Sequence, residues 1–196
     1  VKSVYESVDG RFIILQIIVE GLSLVIINLY GPNKDDSEFF IDVFSHVDFT
    51  SPFELIIAGD FNCTLGPLDY KGNQTSHQNI KSRSTLLSLM EEFSLIDIWR
   101  NQHPKEQTFT RYQKNPMAFS RIDYVLVSQS MLNNSVSSET VAGISSDHSI
   151  VNYSFTNEVI PKGRGYWKLN TYYLYHDPDF VAFIKEFVST NPDPEH

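Results

Sequence analysis

Asp60 and Asn62 stand two residues apart in Gly59-Asp60-Phe61-Asn62, directly after an apolar run. If strand geometry persists there, both side chains leave the same face at the strand's carboxyl end. A carboxylate beside an amide suits the holding of a water or a phosphate oxygen; the same residues equally suit an Asx-turn that closes a strand. Asp123 lies inside the apolar segment 122–126, where a charge is costly without a partner. His148, in Ser146-Asp147-His148, could be that partner. A carboxylate fixes the imidazole tautomer and favours the imidazolium, which can donate to a phosphate oxygen. Taken singly, a strand-end Asp facing water and a satisfied surface His account for the two residues just as well. Tyr30 shares a strand face with Asn28 and precedes Gly31-Pro32, which sets its phenol at a sheet rim, and Thr108 and Ser120 are hydroxyls near the same edge. Carboxylates for a divalent cation, a base, a His and amide donors together match the needs of phosphodiester hydrolysis: a positioned water, charge stabilised on the phosphorane, and a stabilised leaving alkoxide. The sequence has neither a P-loop nor an HExxH helix, and without a GxSxG elbow a Ser-His-Asp hydrolase is excluded.

The elements that must position these residues follow from periodicity. Residues 11–19 and 22–30 are β-branched and aromatic runs joined by Glu20-Gly21, an antiparallel hairpin whose second strand reads as buried on both faces. Asp35-Asp36-Ser37 ahead of Phe39, Phe40, Val43, Phe44 and Val47 predicts a short amphipathic helix. Residues 54–59 predict a buried strand, followed by a turn-rich stretch over 60–75. A helix is expected over 79–93, with Leu86, Leu87, Leu89, Met90 and Phe93 along one side, and strands at 108–112, 122–127 and 150–155. After Thr156, Pro161, Gly163 and Gly165 interrupt the chain, so a boundary is placed near 157: one domain over 1–156, then a linker and the start of a further region over 157–196, with a helix at 178–188. Hairpins outnumber βαβ units, which predicts an α/β chain in which a mixed or antiparallel sheet packs on another sheet, with helices outside.

Composition narrows the class. With 196 residues, of which 41% are hydrophobic and 13% aromatic, the chain has enough apolar area for one domain with a real core, which excludes disorder as its main state. A single cysteine, Cys63, excludes an intrachain disulfide and points to a reducing, intracellular compartment. No secretory leader is visible, and the apolar runs at 12–19 and 22–29 are too short to span a bilayer as helices, so no membrane partner is expected. Fifteen Lys+Arg against 24 Asp+Glu give a net charge of −9. That balance counts against gripping nucleic acid by charge alone and suits a carboxylate site for a hard cation.

The order NLYGPN (28–33), GDFN (59–62), DIWR (97–100), QTFTR (107–111), SRIDY (120–124) and SDH (146–148) resembles the endonuclease/exonuclease/phosphatase superfamily. Within it, DIWR, SRIDY and a later GYWKLN (165–170) are similar to the endonuclease domain of LINE-type non-LTR retrotransposons, whose reading frames also carry a reverse transcriptase. The resemblance covers roughly residues 8–156. It implies a four-layer αββα sandwich with a metal site at the rim, Mg²⁺ or Mn²⁺ as cofactor, DNA as substrate and a nuclear setting. Residue by residue, it implies that Asp60 orients or deprotonates the attacking water and that Asn62 holds it or the phosphate. Tyr30 would bond the scissile phosphate, Asp123 orient His148, His148 stabilise phosphate charge, Asp147 join the metal or its surroundings, and Thr108 offer a hydroxyl near the substrate. It also implies strands upstream of Val1, one carrying an Asn and one ending in the Glu that is the principal Mg²⁺ ligand, so this stretch alone is expected to bind metal weakly and cleave poorly. Two other readings stay open: a catalytically dead remnant serving as an interaction module, and a phosphatase-type member of the same superfamily.

Overall fold

Aliphatic side chains dominate β2 (Phe12–Val19) and β3 (Leu22–Tyr30), and the two pair antiparallel from Phe12↔Leu29 to Val19↔Leu22, as the hairpin pattern predicts. The computed structural model describes residues 1–19, 21–72, 79–114, 117–143, 146–156 and 177–190; the expected linker and GYWKLN lie outside the described residues. With β1 (Ser3–Glu6), β4 (Glu54–Asp60), β6 (Leu95–Asp97) and β9 (Asp123–Ser128), the hairpin forms a six-stranded sheet of order β1-β2-β3-β4-β9-β6. β3 and β4 run parallel, as they must when the helix α1 (Glu38–Ser45) carries the chain across between them.

Alternation sorts the sheet's side chains into two faces. Val25, Ile27, Leu29, Leu55, Ile57, Tyr124 and Leu126 pack with α1, through Phe40, Val43 and Phe44, and with α2 (Ile80–Glu92), through Leu86. Leu24, Ile56, Val125 and Val127 pack the other way, against Val151, Tyr153 and Phe155 of β11 (Ile150–Phe155). That strand pairs antiparallel with β10 (Ser135–Val141), and Ile98 of α3 (Ile98–Gln102) joins the same cluster. Helices, sheet and facing sheet are, among the described residues, three successive layers of the αββα sandwich. A smaller sheet, β5 (Tyr70–Gly72), β8 (Met117–Ser120) and β7 (Arg111–Lys114), completes the strands described.

Two expectations change. β3 is not buried on both faces: Asn28 and Tyr30 are exposed, because on that side only β10 and β11 lie against the sheet among the described residues. The strand expected over 108–112 begins only at Arg111. Residues 161–196 form a separate unit that contributes the helix α4 (Pro178–Thr190). Among the described residues no helix is long and apolar enough to cross a membrane.

One buried cation ties the periphery together. Arg121 is only 2% exposed; its Nε donates to Asp69 Oδ1 at 2.8 Å and its terminal nitrogen to Asp97 Oδ2 at 2.6 Å. Asp69 also accepts from Arg100 at 2.8 Å and from the Gly66 N–H at 2.9 Å, while Asp97 caps α3 by accepting from the Arg100 N–H. The Arg121 guanidinium lies 4.5 Å from the Tyr124 ring centroid and 5.2 Å from that of Trp99. Burial opposes its charge, but the bond and charge of Asp97, with Asp69, hold its pKa above the ordinary value. Replacing Arg121 by Met leaves two carboxylates buried without their cation. The expected cost is about 3–5 kcal/mol, a fall in Tm of roughly 6–20 °C by calorimetry.

Candidate functional site

Gly59 sets the approach to the site. Its φ is +142°, and a Cβ there would sit 1.9 Å from the Leu29 carbonyl oxygen, so only glycine lets β3 and β4 close at this point. The register then lines up Tyr30, Asp60 and Asp123 across β3, β4 and β9. Asp123 lies two residues before Val125, so it shares the face that meets β11. His148 arrives from the opposite layer, just ahead of β11. Its segment is pinned to β7 by Tyr112 N–H to Asp147 C=O at 2.9 Å, Ser149 N–H to Thr110 C=O at 2.7 Å, and a bridge between Arg111 and His148. The site therefore forms where the two layers meet at the sheet rim.

Asp60, Asp123 and His148 each place a ligand-type atom within 4.8 Å of the others. His148 Nδ1 lies 3.0 Å and 3.3 Å from the two Asp123 carboxylate oxygens, so Nδ1–H donates and Nε2 remains as the ring's second polar atom. Directly opposed carboxylates repel across a sheet, and here burial keeps both from ionising freely. Asp60 is pushed up to about 6 by burial, against the Asn62 N–H bond; the charge of Asp123 adds to the rise, and His148 and Arg111 oppose it. Asp123 is also raised by burial, against Thr110, His148 and Arg111. A carboxylate half-ionised near pH 6 is mostly anionic at neutral pH and still basic enough to take a proton from water. Two carboxylates this close also fit a hard divalent cation by donor type. A metal at Nδ1 and the Nδ1–H bond to Asp123 exclude each other, so the ring can join a metal only through Nε2.

The strand geometry expected to carry Asn62 alongside Asp60 does not persist. The strand ends at Asp60, Asp60 Oδ1 accepts the Asn62 N–H at 2.8 Å in an Asx-turn, and Asn62 takes φ +51°, which Asn tolerates. The Asn62 side chain still reaches the rim, donating to the Gly31 carbonyl at 2.9 Å. Asn62 lines an open polar cleft of about 500 Å³ together with Asn79, Arg83, Arg111 and Ser120. Tyr30 is exposed at the end of the row, its hydroxyl accepting from Asn33 at 3.4 Å and its ring centroid 5.4 Å from the Arg11 guanidinium. Asp147 is exposed and outside the Asp60–Asp123–His148 group; its carboxylate faces Arg111 Nε at 3.9 Å. Thr108 is half-buried in the irregular stretch before β7. The hydroxyl that supports Asp123 is Thr110, fully buried, which accepts the Ile122 and Asp123 N–H groups at 3.0 and 3.1 Å and also bonds the Asp123 side chain. The Thr108-Phe109-Thr110 spacing marks both hydroxyls equally, so sequence alone had no basis for choosing between them. Cys63, also on the cleft wall, is buried, which pushes its thiol up to about 12.

This layered fold with acidic groups and a His at its rim is that of the endonuclease/exonuclease/phosphatase superfamily. Among solved structures the chain is similar to the catalytic domain of APE2 from Xenopus laevis, with a TM-score of 0.63 and 21% identity over 74% of this chain and 55% of that one. It is also similar to an AP endonuclease from Archaeoglobus fulgidus, with a TM-score of 0.59 and 20% identity over 78% of this chain and 70% of that one. A third is a 3′ phosphatase, NExo, from Neisseria bound to a product DNA hairpin, with a TM-score of 0.58 and 19% identity over 79% of this chain and 71% of that one. Residues 24–152 match the endonuclease-reverse transcriptase family, and the chain belongs to it. A curated relative, the transposon TX1 uncharacterized 149 kDa protein of Xenopus laevis, is 29% identical over 191 residues, 95% of this chain. The chain spans 14% of that relative's length and about half of the Xenopus APE2 structure.

The raised Asp60 makes a signed prediction. In the unfolded chain it titrates near 3.8, folded near 6, so between those values the folded state holds more protons. Stability contributed by this group is therefore greatest below about pH 4 and falls as pH rises through 6. Urea unfolding in EDTA at pH 4.5 and 7.5 is expected to show wild type losing stability relative to Asp60→Asn at the higher pH. An unchanged difference between the two proteins would mean Asp60 ionises as freely folded as unfolded.

Proposed function

We propose that this chain is the endonuclease portion of a retrotransposon-type polypeptide and nicks DNA by metal-dependent phosphodiester hydrolysis. The observation that carries the reading is the meeting of Asp60, Asp123 and His148 at the sheet rim, from segments far apart in sequence. Asp60 takes the proton of the attacking water. Asn62, on the cleft wall, holds that water or a phosphate oxygen. Asp123 fixes the imidazole through Nδ1, so that Nε2–H of the imidazolium donates to the phosphate as its charge grows. Tyr30 adds a phenolic donor at the end of the row, and Thr108 a hydroxyl near the substrate. Mg²⁺ or Mn²⁺ would be held by Asp123, leaving Asp60 free as the base, and would supply charge neutralisation on the phosphate.

The family assignment and the transposon relative support a parent polypeptide that also carries a reverse transcriptase region. With that reading go a place of work in the nucleus and a division into a nuclease domain over 1–156 and a connecting region over 157–196. The chain spans 14% of its transposon relative's length, so the assay belongs on the whole polypeptide. In a supercoiled-plasmid assay with Mg²⁺, Asp60→Asn and His148→Ala are each expected to lower the nicking rate by about 10²–10³ or more, and EDTA to abolish it. A wild-type polypeptide that fails to nick, or variants that nick as well as it does, would overturn the reading in favour of a catalytically dead interaction module.

A further inference from the structure

We propose that Arg111 meets the charge of the scissile phosphate, and that Asp147 is its resting partner, given up when DNA binds. This rests on the nuclease reading above and assigns Asp147 to a guanidinium rather than to a metal. The main chain of Arg111 is bridged to that of His148, and the bonds at Thr110 and Tyr112 on either side hold the two residues opposite each other. Its side chain lines the polar cleft with Asn62, so it stands at the boundary between the carboxylate–histidine group and the space open to substrate. Its positive charge reaches both Asp60 and Asp123.

What holds the guanidinium at rest is weak. Arg111 Nε and Asp147 Oδ2 are 3.9 Å apart, with side chains 40% and 67% exposed, so water competes for both. The other arginines near the site are engaged differently. Arg121 and Arg100 are bound to the buried Asp69, Arg83 donates to the Thr64 carbonyl and to its hydroxyl, and Arg11 pairs with Asp9 and covers Tyr30. A phosphate offers two oxygens to the guanidinium fork in short, charge-assisted bonds, better than the long contact to Asp147. Exchange of carboxylate for phosphate brings a positive charge to the reacting group without first breaking a buried ion pair.

Two measurements test this. Fluorescence anisotropy of a short labelled duplex with the 196-residue chain in EDTA, over a range of salt, reads phosphate contacts without chemistry. Arg111→Ala is expected to reduce the slope of log K against log salt by about 0.9, one contact, and Asp147→Asn to tighten binding about two- to threefold. In plasmid nicking by the whole polypeptide, Arg111→Ala is expected to lower kcat about 10²-fold, with Arg111→Lys recovering part of it, and Asp147→Asn to lower KM. An unchanged salt slope in Arg111→Ala overturns the proposal. So does a tenfold loss of kcat in Asp147→Asn with a higher Mg²⁺ requirement, which would make Asp147 a metal ligand. A wild-type polypeptide that does not nick defeats the nuclease reading alone, since the salt slope still decides whether Arg111 contacts phosphate.

Discussion

The Arg121 guanidinium, buried between Asp69 and Asp97, is the constraint on which the rim of this molecule depends. It lies two residues before Asp123, so wherever the ion cluster fixes Arg121, the start of β9 is fixed as well. Asp69 belongs to the turn that follows Asn62, and Asp97 to the junction of β6 and α3. Asp69 and Arg121 lie outside the named strands and Asp97 at the end of β6, and all three are thereby held to one point. The Arg121 N–H donates to the Asp69 carbonyl at 2.8 Å and the Tyr124 hydroxyl to the Arg121 carbonyl at 2.5 Å, so main chain and side chain are anchored together. Each member of such a cluster is costly to remove singly because its partners stay buried. Its likeness to a structural keystone lies in geometry: the carboxylate row can be no better placed than the residue that leads into it.

Electrostatics then shapes what that row can do. Asp60 faces Asp123 across paired strands, an arrangement that folding alone would avoid. The molecule accommodates it by burying both, which lifts their pKa values, and by surrounding them with His148 and Arg111. Burial, with a smaller push from the neighbouring acid, is thus the source of a usable base. A net charge of −9 on the whole chain fits the same picture, since negative potential gathers cations.

The central strands and the main helices were legible in the sequence because their apolar periodicity is strong and local; β4 and α2 fall within a residue or so of the expected bounds. β5 and β8 were not, since they are short and owe their form to pairing rather than to periodicity, and β7 was expected only in part, the strand read over 108–112 overlapping it at Arg111 and Tyr112. Asp60, Asp123 and His148 were recognisable by type and by their places at strand ends. Their mutual distance was not, because it depends on the register of β4 against β9 and on the closure of two layers. DIWR and SRIDY could be read as a family signature, yet the physical tie between them, Asp97 to Arg121, is long-range and invisible in either motif. The turn at Asn62 was open to two readings, and the Asp60 carboxylate, which accepts the Asn62 N–H where the strand ends, decides between them.

Cys63 has a practical consequence. A thiol pushed up to about 12 and closed off from water carries almost no thiolate near neutral pH, so it neither alkylates nor oxidises readily. As the chain's single cysteine, it leaves the protein chemically silent toward maleimides and disulfide reagents. A cysteine introduced on the exposed surface becomes a unique handle for fluorophores or for cross-linking to modified oligonucleotides, with the native residue left in place.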